Sequence, residues 1–81
     1  MSARRFQKMD VRPMLLKGQE PFPFIKAKVE ALSPGEGIEV TAPFLPAPLV
    51  EVLTAQGFLH RIERADDGSW TVWFWRQGDI S

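Results

Sequence analysis

Residues Met9 to Leu32 read as a strand, a loop bearing proline and glycine, and a helix, and Ile38–Ala42 reads as a strand soon after. A strand, a helix and a strand in close succession leave few folds open. The two strands should lie parallel in one sheet, joined by a right-handed helical crossover. The first strand spans Gln7–Arg12, with Met9 and Val11 on one face. Pro13 cannot donate to a ladder and is expected to end it. Met14 to Gln19 then reads as a loop, with Gly18 its freest point. In residues 21–32, Phe22, Ile25, Val29 and Leu32 recur at spacings of three, four and three. That is one apolar stripe of a helix, and Lys26, Lys28 and Glu30 lie mostly off it. Pro21 and Pro23 suit the first turn, which has no intrahelical N–H bonds to lose. Ser33-Pro34-Gly35-Glu36-Gly37 is a stop and a turn.

The second half continues with Ile38–Ala42, Ile38 and Val40 inward, Glu39 and Thr41 outward. Pro43 to Pro48 forms a stiff loop. A helix from about Ala47 to Gln56 carries Leu49, Val52 and Leu53 on its apolar face, and Gly57 suits its C′ position. Phe58–Arg64 and Trp70–Arg76 read as strands joined by the turn Ala65-Asp66-Asp67-Gly68. Alternation places Trp70, Val72 and Phe74 toward the helices, with Phe58, His60 and Ile62 beside them. Leu59, Arg61, Glu63, Thr71, Trp73 and Trp75 then face the other way. The expected order is β-α-β-α-β-β. It forms an α/β (α+β) two-layer sandwich: a mixed four-stranded sheet with two helices on one face. The 81 residues suffice for one domain. Its expected span is 7–77, between a flexible N-terminal tail at 1–6 and a C-terminal tail at 78–81.

These segments carry a family likeness. The strand end Asp10-Val11-Arg12, the helix start Glu20-Pro21, the turn Ala31-Leu32-Ser33-Pro34-Gly35-Glu36 and the strand Ile38-Glu39-Val40 resemble the SirA/TusA-like superfamily. The loop Ala42-Pro43-Phe44-Leu45-Pro46-Ala47-Pro48-Leu49 is similar to an uncharacterised branch of it, a domain of unknown function. The resemblance covers about residues 8–76 and implies a small β-α-β-α-β-β domain. In the sulfur carriers of that superfamily, a Cys-Pro-x-Pro motif opens the first helix and its cysteine carries persulfide sulfur. Here Glu20-Pro21-Phe22-Pro23 keeps the prolines, Glu20 takes the cysteine's place, and the chain has no cysteine. A carboxylate forms no persulfide. The resemblance therefore implies the scaffold, and a regulatory relative of a sulfur-transfer pathway, without the carrier chemistry.

Two candidate sites follow. The first comprises Arg12, Lys17, Gly18, Gln19, Glu20, Pro21, Pro43 and Phe44, where both parallel strands end near helix starts. Ligands of open α/β sheets bind beyond the carboxyl ends of strands, and helix N-termini favour anions. A small anion, a metabolite or a partner's acidic tail would suit it; alternatively Glu20 only caps the helix. The second comprises Arg61, Glu63, Trp73 and Trp75 on the face without helices. Exposed tryptophans need cover, and Trp and Arg are favoured at interface hot spots. A homodimer or a protein partner would supply that cover. Alternatively the Arg61 and Glu63 stems shield the rings, with an Arg–Trp contact worth about 0.5–1 kcal/mol.

Other classes are disfavoured. Ten basic and ten acidic residues cancel, so no basic field favours nucleic acid, although the aromatics would suit stacking. The absence of cysteine removes disulfides and thiolate chemistry, and one histidine, His60, makes a poor metal site. No metal or other cofactor is expected. No apolar run approaches the roughly 20 residues of a membrane span, and the basic start lacks a signal peptide's apolar region. A cytoplasmic location is expected, with no membrane partner. The leading expectation is a non-enzymatic binding or adaptor module; an enzyme using Glu20 as acid or base ranks last.

Overall fold

A computed structural model describes residues 5–76 of the chain. Four strands run β1 (Arg5–Asp10), β2 (Glu36–Ala42), β3 (Phe58–Arg64) and β4 (Trp70–Arg76). Three helices run α1 (Arg12–Leu16), α2 (Phe22–Glu30) and α3 (Ala47–Ala55). The sheet order is β1-β2-β4-β3. β1 and β2 pair in parallel, as a helical crossover requires, and β4 pairs antiparallel with both β2 and β3. The sheet is therefore mixed, and the domain is the expected α+β sandwich with one short helix added.

The core lies on one face of the sheet. Ile38 and Val40 of β2 and Val72 and Phe74 of β4 are fully buried there, against Ile25, Val29, Leu49 and Leu53 of the helices. β2 and β4 are the two central strands, so their inward residues have neighbours on both sides. α2 ends at Glu30, short of the expected residue 32, yet Phe22 at its start and Leu32 just past its end both pack partly buried against the same cluster.

Several boundaries move. β1 starts at Arg5 and ends at Asp10, so Arg5 and Phe6 belong to the sheet and not to a tail. The expected tail residues 1–4 and 78–81 lie outside the described residues. The segment expected as strand end and loop instead forms α1. Val11 is the pivot: its N–H bonds the Thr41 carbonyl at 2.9 Å in the sheet, and its carbonyl accepts the Leu15 N–H at 3.0 Å. Pro13 does not oppose this helix because it falls in the first turn. Gly18 then ends α1 with a φ of 74°. Gly18 N–H bonds Leu15 O at 3.1 Å and Gln19 N–H bonds Met14 O at 2.9 Å, the paired closure of a Schellman motif. Gly18 is thus a helix stop and not the loose point of a loop. Glu36 and Gly37 leave the expected turn and join β2.

Two core assignments also change. Val52 stays 37% exposed, and Val50 packs against the core instead. On β3 only Phe58 is buried; His60 and Ile62 face the helix side but are exposed. β3 is an edge strand, and the helices do not reach far enough to cover its second half.

Candidate functional site

A cleft of about 360 Å³ opens where β1 and β2 end and the helices begin. Val11, Val40 and Ala42 form its floor. Leu15 of α1 with Pro21, Phe22 and Ile25 at the start of α2 forms one wall. Phe44 and Pro46 of the β2–α3 loop, with Pro48, Leu49 and Val52 of α3, form the other. Prolines stand on both walls, where their fixed φ holds the helix starts in place. Every lining residue but one is apolar; Glu20 is the exception. Phe44, 53% exposed, and Val52 leave the mouth open to solvent. The volume is that of a small-ligand site, and its place beyond the strand ends follows the rule for open α/β sheets.

Of the eight residues expected here, Glu20, Pro21 and Phe44 line the cleft, while Arg12, Lys17, Gly18, Gln19 and Pro43 do not. Glu20 does not cap α2, because Pro21 holds the N-cap position and no side-chain cap bond forms. Arg12 is engaged elsewhere. Its Nε and Nη2 donate to the two Asp10 carboxylate oxygens at 2.9 and 2.8 Å, and its Nη1 lies 3.7 Å from Asp67 of the β3–β4 turn. The Asp10 carboxylate also accepts the Arg12 N–H at 3.0 Å, a helix-start donor with no helical partner. Sequence reading missed the walls because it looked for polar groups. The signal it held was the run of prolines and apolar residues at both helix starts.

The Arg12 contact gives a pH prediction. Hydrogen bonds from the Arg12 side chain hold the Asp10 carboxyl below its ordinary 3.8, against an opposing effect of burial, with the Arg12 backbone N–H and charge adding to the lowering. The folded state thus binds that proton less readily than the unfolded one. The stabilisation is complete above the unfolded value and is lost as pH falls through the lower folded value. Asp10→Asn should lower the urea midpoint at pH 7, and the gap to wild type should narrow and close as pH falls through and below the lowered Asp10 value. Both groups are half-exposed, so solvent screening keeps the effect small. A gap that persists undiminished in acid would contradict this assignment.

The family model described as an uncharacterized conserved protein, DUF2249, matches residues 8–76. The chain belongs to the DUF2249 family. No curated protein and no solved structure matches it. The matched span contains every residue that lines the cleft, so the whole site lies within the DUF2249 domain.

The other candidate site of the DUF2249 domain lies where alternation placed it, on the sheet face opposite the core. Trp73 and Trp75 are half-buried there and not fully projecting. Trp73 Nε1 donates to Glu39 Oε1 at 3.0 Å, and the Arg61 guanidinium lies 5.9 Å from its ring centroid. Arg61 also pairs with Glu63 at 2.8 Å. The Phe6 ring meets Trp75 edge-on at 6.3 Å. The DUF2249 sheet therefore shields much of its own aromatic surface. Among the described residues, no group of three or more His, Asp or Glu side chains is placed to hold a metal, and no helix is long and apolar enough to cross a membrane.

Proposed function

We propose that the domain is a non-enzymatic binding module whose cleft takes up an apolar group bearing a cationic or hydrogen-bond-donating head. The observation that carries this reading is the lining: thirteen side chains, of which only Glu20 is charged. Burying an apolar body there yields roughly 25 cal/mol per Å² removed from water. Glu20 sets the orientation by accepting from the head group. An anion is poorly served, because Arg12 lies outside the lining with its charge turned to Asp10 and Asp67. Acid–base catalysis by Glu20 would need a neighbouring group to stabilise the reacting charge, and the lining supplies none. The sulfur-carrier likeness supports a second reading of the same cleft. Glu20 stands in the place of the carriers' cysteine, so the cleft would be a partner surface kept without persulfide chemistry.

Phenethylamine is a suitable probe, with 2-phenylethanol as its uncharged counterpart. In amide NMR titrations both should perturb Leu15, Phe22, Phe44 and Val52, and not the outer sheet face. Glu20→Gln should weaken the amine about twofold to fivefold, the scale of an exposed ion pair, and leave the alcohol unchanged. Flat spectra for both compounds at millimolar concentration would sink the reading.

A further inference from the structure

Among the described residues, the sheet order leaves one side of β3 unpaired. Edge strands usually carry a device against pairing, such as a proline, a bulge or a very short length. β3 runs seven residues without proline, and its register with β4 is unbroken from Phe58 to Arg64; its protection is charge alone, from Arg61, Glu63 and Arg64, which admits a partner strand only where opposite signs meet. Six of the seven residues are exposed. The hairpin fixes which backbone groups meet that edge. Ala65 N–H donates to Ser69 O at 2.8 Å, so Arg61 and Glu63 also turn their backbone groups toward β4. His60, Ile62 and Arg64 turn theirs to the open edge.

We propose that β3 pairs antiparallel with β3 of a second copy, about a two-fold axis at Ile62. Its two sheets would become one continuous sheet with the helices of both copies on the same face. This inference is independent of the cleft. It rests on charge complementarity, which selects the register. With the axis at Ile62, Arg61 of each copy stands opposite Glu63 of the other on the outer face. Ile62, 38% exposed in one chain, meets its own counterpart on the inner face. His60 stands opposite Arg64, and Leu59 opposite Ala65. Moving the axis to Arg61 sets Arg61 against Arg61 and Leu59 against Glu63, and moving it to Glu63 sets two carboxylates together. Like charges directly opposite destabilise a pair, and opposite charges stabilise it. The charges on this edge thus reject both adjacent registers and favour the one centred on Ile62, where opposite charges meet. The residues at the centre supply the backbone bonds: Ile62 with Ile62, and His60 with Arg64 on either side, each pair exchanging both hydrogen bonds.

The test is native mass spectrometry and sedimentation velocity on the full chain over a concentration series. Wild type should show a dimer fraction that rises with concentration. Arg61→Glu and Glu63→Arg each place like charges opposite one another and should weaken the homodimer at least about tenfold. An equimolar mixture of these two variants should form a heterodimer, resolved by mass, because the introduced carboxylate faces the introduced guanidinium. The double exchange, Arg61→Glu with Glu63→Arg, should restore the homodimer. A wild type that stays monomeric at every concentration overturns the proposal. So do single variants that dimerise like wild type, or a mixture that fails to assemble.

Discussion

Phe74→Ala should cost about 3–5 kcal/mol of unfolding free energy, the range for a buried Phe truncated in a core that cannot collapse. Phe74 is fully buried on the inner face of β4, a central strand. Its neighbours across the sheet are Ile38 on β2 and His60 on β3, and the His60 ring lies 6.3 Å away. The two flanking strands fix the backbone, so little can move in to fill the void. A chain of 81 residues has a total stability of roughly 4–12 kcal/mol at typical values per residue. The loss therefore brings the variant close to its unfolding threshold. Urea denaturation should show a large drop in midpoint with little change of slope. A loss below about 1 kcal/mol would mean that the core is not packed around this ring.

Gly37→Ala is the second large effect, and it acts on the opposite face. Gly37 sits in β2 between Phe6 of β1 and Trp75 of β4. Because it has no side chain, the Phe6 ring crosses the strand and reaches Trp75. A Cβ on Gly37 would stand 2.6 Å from Phe6 Cε1 and press on the backbone carbonyl of Phe74. The ring can swing aside, but the carbonyl belongs to a central strand and cannot. Overpacking of this kind costs about 1–3 kcal/mol, and loss of the edge-on contact adds about 0.5–1.5 kcal/mol. A double-mutant cycle with Phe6→Ala separates the two. In the Phe6→Ala background, Gly37→Ala should cost less but still destabilise. Equal cost in both backgrounds would show that the ring does not lie over Gly37.

The candidate site was half legible. The rule that ligands sit beyond strand ends located it between the two helix starts, and Glu20, Pro21 and Phe44 do line it. Arg12 and Lys17, five positions apart in sequence, suggest a positive site, but neither lines the cleft. Whether a charge is available depends on its partners, and Asp10 and Asp67 take up Arg12. Asp67 is distant in sequence and comes close only when the β3–β4 turn folds over. Glu20 at the helix start suggests a cap, but Pro21 takes the N-cap position. The Trp73–Glu39 bond likewise joins residues on different strands, and alternation alone could give only the face.

The sequence by itself determined what is local. Its period-two and helical patterns set the element order, the inward residues of β2 and β4, the stripe of α2 and the hairpin. Each of these depends on neighbours within a few positions, where backbone geometry dictates direction. The tertiary structure alone decided what depends on coverage and on distant partners. It set the strand order that leaves β3 at the edge, so that Ile62 and His60 face inward yet stay exposed. It turned Arg12–Leu16 into a helix, because the Thr41 carbonyl holds the Val11 N–H in the sheet just as its own carbonyl starts the first turn. It also left the cleft apolar, because burial depends on which surfaces meet, and residue order fixes only which way each one points.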